Sequence, residues 1–312
     1  RDKIIELAPG INEFNLYGNP DDSNAGTASY AYVGGNYGDL VTRRGYSYYD
    51  GANTENHDKP ILANRNGWSV AYPIGINNLD SLHVMGNMQP DWYGGANTAI
   101  RFKRFRLSAI VDARYGGEIY SADARYGLHQ GVTKSSLPNR DASQGGITWT
   151  SEGQGQNFYG KTYEDGFIPD GVFPDGTTVT SGPSNNRTNV DVGGLTYQQA
   201  YDQGLVEPTH WSGYVYRWTS ASTGTPITGV YTQNWVALRE LTMSYNVPES
   251  ILEKLSINSA TLSLTGRDLG FLYNSMPDNI NPSISNNAAA NPLQMRSAPY
   301  IRSISFAINL NF

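Results

Sequence analysis

SISFAINLNF, Ser303 to Phe312, alternates apolar and polar residues without interruption up to its last residue. Strand side chains point alternately to opposite faces. Ile304, Phe306, Ile308, Leu310 and Phe312 therefore make one face, and Ser303, Ser305, Ala307, Asn309 and Asn311 the other. Such a strand fits the edge of a soluble β-sandwich with its apolar face turned into a core. It also fits a strand of an outer-membrane barrel, in which one face meets lipid, the other a wet lumen, and aromatic girdles mark both ends. The aromatic end at Phe312 makes the membrane barrel the leading expectation and the soluble all-β protein its rival.

Composition narrows the choice. Twenty-two Lys and Arg stand against 28 Asp and Glu, a formal charge of −6, which argues against the concentrated basic face of a nucleic-acid binder. Hydrophobic residues make up only 38%, beside 34 Gly, 22 Tyr and 6 Trp. Barrels whose polar loops outweigh their strands have this profile, and so do soluble glycan-binding proteins. With no cysteine, a disulfide framework or thiolate metal site is impossible. No apolar run approaches the roughly 20 residues of a membrane helix, so any crossing would use strands. The chain opens at Arg1 with no initiator Met and no signal peptide, and is expected to be a piece of a longer protein.

Working back from the terminal strand, Ala260 to Gly266 alternates with Leu262 and Leu264 on one side and Thr261, Ser263 and Thr265 on the other. Phe271 to Pro299 reads as a polar loop. Trp235 to Val247 reads as a strand with Trp235, Ala237, Leu241, Met243 and Tyr245 in phase. Arg239 breaks that phase, and a bulge near Leu238 would repair it. Pro248 to Ser256 has the proline start and the acid-first, base-last order of a short helix. Trp92 to Tyr115 reads as a hairpin turning at Lys103 and Arg104, with Phe105, Leu107, Ala109, Val111, Ala113 and Tyr115 on one face of its second arm. The stretches from Asn19 to Pro90 and from Gly116 to Asn234 lack sustained periodicity and read as long loops, the first with short strands. A strand is also expected near Ile11 to Tyr17. The short turns fall at one end of the strands and the long loops at the other, the asymmetry of outer-membrane barrels. Five strands at about 4.8 Å each give a sheet only about 24 Å wide, so most of a wide wall would lie outside this chain.

Six motifs in order, VGGNYGDL (33–40), GNMQPDWYGG (86–95), FRLSAIVDARYGGEIYS (105–121), NWVALRELTMSYNVP (234–248), LSLTGRDL (262–269) and PYIRSISFAINLNF (299–312), resemble the SusC/RagA-type TonB-dependent transporters of the outer membrane of Bacteroidota. The resemblance covers the carboxy-terminal third or so of a family member. It implies a transmembrane antiparallel β-barrel of about 22 strands with long extracellular loops, of which residues 1–312 would be the last part, the plug and amino-terminal domains being absent. It further implies nutrient import, of glycans or peptides, together with a SusD-like surface lipoprotein and with energy from TonB reached through the missing part. The expected partners also include the rest of the barrel and plug and the outer-membrane lipid. No cofactor, no catalytic residue and no nucleic acid are expected. The rival is a soluble all-β glycan-binding or glycan-cleaving protein.

The residues themselves offer no catalytic pattern. His57, His83, His129 and His210 lack metal-ligand spacing, and Asp165, Asp170 and Asp175, each followed by Gly, read as serial turns. Asp112 with Glu118, or Glu240 with Arg239, is explained by a lumen wall without chemistry. Rings that could stack on sugars or anchor a lid are Trp149, Tyr159, Tyr163, Trp211, Tyr214, Tyr216 and Trp218. Packing of the loop against itself is the competing role for them. Leu107, Val111, Leu262, Leu264, Phe306, Ile308 and Leu310 are expected to face lipid, and Phe312 to act as an assembly signal.

Overall fold

The computed structural model describes residues 32–33, 39–42, 44–77, 83–220, 224–253, 257–282, 293–294 and 301–312. The strand expected near Ile11 to Tyr17, and residues 34–38 of the first motif, lie outside the described residues. The chain divides into two compact units, Arg1–Gly86 with Tyr120–Val230, and Asn87–Ile119 with Tyr231–Phe312.

The second unit is built on five strands: β1 (Trp92–Phe102), β2 (Phe105–Tyr115), β3 (Trp235–Asn246), β4 (Ser259–Asn274) and β5 (Ser303–Asn311). Each pairs antiparallel with the next in chain order, a meander with β1 and β5 at its edges. The all-β antiparallel expectation holds, as do the five strands. Among the described residues the sheet is open and closes no barrel. Lys103 and Arg104 make the β1–β2 turn, and the single helical turn α4 (Glu249–Leu252), entered through Pro248, follows β3 at the same end of the sheet. Residues 116–234 and 275–302 connect strands at the opposite end.

The bulge expected near Leu238 is present. Leu238 pairs with Val111 and Glu240 with Ile110, so Arg239 is the extra residue. The bulge corrects one expectation. Trp235 and Ala237 do not share a face with Leu241, Met243 and Tyr245, because the inserted residue reverses the alternation, and they stand opposite Arg114 and Asp112. A second correction concerns β4, which continues through residues 267–274 instead of giving way to loop at Phe271. Asp268 and Leu269 together face the single Arg239, and Leu272 is skipped between Phe271 and Tyr273. Two bulges destroy the period of two that a sequence reading depends on.

The first unit corrects a third expectation. The described residues between Gly116 and Asn234 are not an irregular loop, since they hold three α-helices, α1 (Ala122–His129), α2 (Tyr197–Asp202) and α3 (Trp211–Trp218), and several short strands. Ser121 caps α1 by accepting from the Ala124 N–H, and Thr196 with Gln199 forms a capping box on α2. Hairpins pair Ile147–Thr150 with Thr162–Phe167 and Thr178–Ser181 with Thr188–Asp191. The earlier hairpin Leu62–Arg65 with Val70–Pro73 contributes to the same core. Leu62, Trp68, Ala71, Phe173, Val179, Val192, Tyr197, Ala200 and Val206 pack together there, and Trp68 meets Phe173 edge-on at 4.8 Å.

Candidate functional site

The sheet sorts its side chains into two unlike faces. Rows running across the strands on one face read Phe102, Phe105, Tyr245, Leu262, Ile308; then Ile100, Leu107, Met243, Leu264, Phe306; then Thr98, Ala109, Leu241, Gly266, Ile304. All seven side chains expected to face lipid lie on this face. Most of its large side chains are uncovered, with Leu241 at 36%, Leu264 at 44% and Ile304 at 75% exposed, while Tyr245 and Leu262 are half-buried. Aromatic side chains close both ends. Trp92, Tyr115 and Tyr273 stand at one end and Phe102, Phe105 and Tyr245 at the other, the Phe105 and Tyr245 rings 4.8 Å apart.

The opposite face is polar and internally bonded. Ser244 pairs with Ser263 and Thr242 with Thr265, each at 3.0 Å. Arg267 donates to Glu240 at 2.9 Å, and Arg239 donates to Asp112 at 3.0 Å and lies 3.5 Å from Asp268. Arg239 also sits over the Trp235 ring, which meets Tyr93 and Phe271 edge-on. The Arg239–Glu240 pair considered as acid and base is thus divided between two separate ion pairs. Glu118 accepts the Asn87 N–H at 2.7 Å and makes no pair with Asp112.

In the other unit the candidate aromatics fall into two groups. Trp149 stacks on Tyr163 at 5.0 Å, and both rings touch the His210 imidazole. Tyr159 is exposed nearby in sequence, and Lys161 lies over Tyr163. The second group is α3, whose spacing of three and four residues stacks Trp211, Tyr214 and Trp218 along one face. Tyr214 is buried against Phe167, so its ring is committed to packing, and burial pushes its hydroxyl well above the usual phenol range. Trp218 donates to the Tyr46 hydroxyl and Trp211 to the Ser136 carbonyl. Tyr216 points the other way, half exposed and stacked on His129 at 4.4 Å.

Glu207 is the residue that sequence reasoning passed over. Its buried carboxylate accepts from Ser151, from the Glu152 and Gln154 N–H groups, from Asn157 and, at 3.4 Å, from the Trp149 indole. Asn157 in turn meets His210, which pairs with Asp165 at 2.9 Å. One carboxylate therefore fixes the loop beneath the Trp149–Tyr163 stack. A lone Glu before Pro208 carries no pattern that would have marked it. Asp165 and Gly166 lie within the strand Thr162–Phe167, so that Asp-Gly pair is not a turn, whereas Asp175 and Gly176 are. Asp175 accepts from the Tyr49 hydroxyl and from the Ala52 N–H, and the Tyr49 bond holds its carboxyl below the usual range. Among the described residues no three His, Cys, Asp or Glu side chains converge as a metal site would require.

No protein-family model matches the sequence, and no curated protein matches it. Among solved structures the chain is similar to the RagAB peptide importer in its open-open state, at 11% identity and a TM-score of 0.41, over 97% of this chain and 24% of that one. The chain thus spans about a quarter of the length of the solved chain it matches.

Proposed function

We propose that the five-stranded sheet is part of the wall of an outer-membrane β-barrel that imports nutrients. The observation that carries this reading is the apolar face, uncovered from Phe102 to Ile304 and bounded by aromatics at both ends. A soluble sandwich would turn Phe306, Ile308 and Leu310 into a packed core, yet they are 63%, 54% and 47% exposed. The dimensions agree with a membrane. Ten residue steps from Trp92 to Phe102, at about 3.4 Å each and a barrel tilt of about 40°, give a height of about 26 Å, against an apolar band of about 25 Å. The bonded polar face would then line a wet lumen.

The sequence resemblance supports the finer part of the proposal. On that reading the folded connection of residues 116–234 lies outside the cell and contributes to contact with a lipoprotein lid and with a glycan or peptide substrate. Energy would come from TonB through parts of the protein beyond this chain. The exposed rings Tyr159 and Tyr216, and the Trp149–Tyr163 stack, are the side chains offered for that contact. The test is deletion of the central part of this connection from the whole transporter. Uptake should be abolished while the barrel still inserts, and normal uptake by the deleted protein would overturn the proposal. Release of the intact protein from membranes without detergent would overturn the wall itself.

A further inference from the structure

We propose that the tip of the β1–β2 hairpin binds the headgroups of anionic phospholipids; the inference rests on the reading of the sheet as a membrane wall. Residues 101–106 read Arg-Phe-Lys-Arg-Phe-Arg. Phe102 pairs directly with Phe105 on the apolar face, 67% and 50% exposed, while Arg101 pairs directly with Arg106 on the polar face. Like charges directly opposite one another destabilise a sheet. Among the described residues neither arginine, nor Lys103 or Arg104 between them, makes an ion pair. Glu249 and Glu253, at the same end of the sheet, pair with none of the four cations.

The turn itself adds a second argument. Lys103 has φ +54°, a conformation in which hairpins favour Gly, Asn or Asp. Any long side chain there costs stability that Gly or Asn would not, so Lys103 stands in the turn against its backbone preference. Its ammonium lies 5.5 Å from the Phe102 ring centroid, leaning over the apolar face instead of away from it. Rings toward hydrocarbon with cations at their edge is the arrangement that meets phosphates at a bilayer surface. Short turns of outer-membrane barrels face the periplasm, where this tip would meet phospholipid.

The experiment is co-flotation of the whole transporter that contains this chain, from detergent, with vesicles of phosphatidylcholine alone and of an equimolar phosphatidylcholine–phosphatidylglycerol mixture. The wild-type transporter should float with both and prefer the mixture. K103Q/R104Q should lose about thirty-fold of that preference, from roughly 1 kcal/mol per cation at the surface, with flotation on phosphatidylcholine unchanged. Neither change alters the backbone bond from the Asn246 N–H to the Arg104 carbonyl, so folding is expected to be kept. Equal preference in wild type and variant overturns the inference and leaves the wall standing. Loss of preference in R101Q/R106Q but not in K103Q/R104Q also overturns it, because the anion would then lie on the polar face. A wild-type transporter that floats with neither vesicle overturns the wall and the inference together.

Discussion

Arg239 donates from Nε to Asp112 Oδ2 at 3.0 Å from a residue that unbroken strand alternation would turn to the opposite face. The bulge between Leu238 and Glu240 makes this contact, and with it the charged network of the polar face. Both side chains are about one quarter exposed, at 24% and 27%, so the pair is partly screened. A double-mutant cycle with R239A and D112A should give a coupling of about 1 kcal/mol in urea unfolding of the detergent-solubilised chain. A coupling near zero would show that the bulge is held by backbone pairing alone.

The two faces should respond oppositely to a charge. Leu241→Arg, midway along the apolar face, should cost about 2 to 4 kcal/mol, and Leu264→Arg a similar amount. Asn309→Arg on the polar face should be tolerated. Folding yield into bilayers measures all three. Equal tolerance at Leu241 and Asn309 would reject the assigned faces.

Glu207→Ala should destabilise the unit that contains it by about 3 kcal/mol or more, since the donors around the carboxylate lose their acceptor inside the protein. Hydrogen exchange should rise across residues 151–157 while β1 to β5 keep their protection. Unchanged exchange at Gln154 would argue that these donors find other partners.

His129 gives one pH prediction. Burial first, and the neighbouring Arg125 second, hold its imidazole below the usual histidine value. A base whose folded-state value is depressed adds stability that is fully present above its ordinary value of about 6.5 and lost as pH falls through the folded value. Protection of α1 and α3 in hydrogen exchange should therefore weaken as the pH drops below about 6, and His129→Gln should flatten that dependence. Protection that strengthens on acidification would reverse the sign and refute the assignment.

Phe312 follows the last residue of β5 and is 78% exposed. Its deletion should leave the stability of the sheet nearly unchanged and lower the amount inserted in the outer membrane, read by fractionation. Normal insertion without it would refute the proposal that it is an assembly signal.

Where a strand alternates, the sequence alone determined which residues share a face. The alternation of Phe105 to Tyr115 and of Ser303 to Phe312 sets faces directly, because a strand repeats every two residues. Even the bulge at Arg239 showed as a charge out of phase. In β4 the signal failed, since Asp268, Leu269 and Leu272 interrupt the period twice and the strand beyond Gly266 reads as loop. Only the tertiary structure decided the other unit. Trp68 meets Phe173, Gln154 bonds the Trp68 carbonyl, and Asn56 reaches the Gly194 carbonyl, contacts between residues 86 to 138 positions apart that leave no period in either segment. Residues 44–73 and 120–230 each lack enough apolar pattern to fold visibly alone, and their core forms from both together. For the same reason Glu207 looked like any loop carboxylate, because its role comes entirely from the donors that the fold gathers around it.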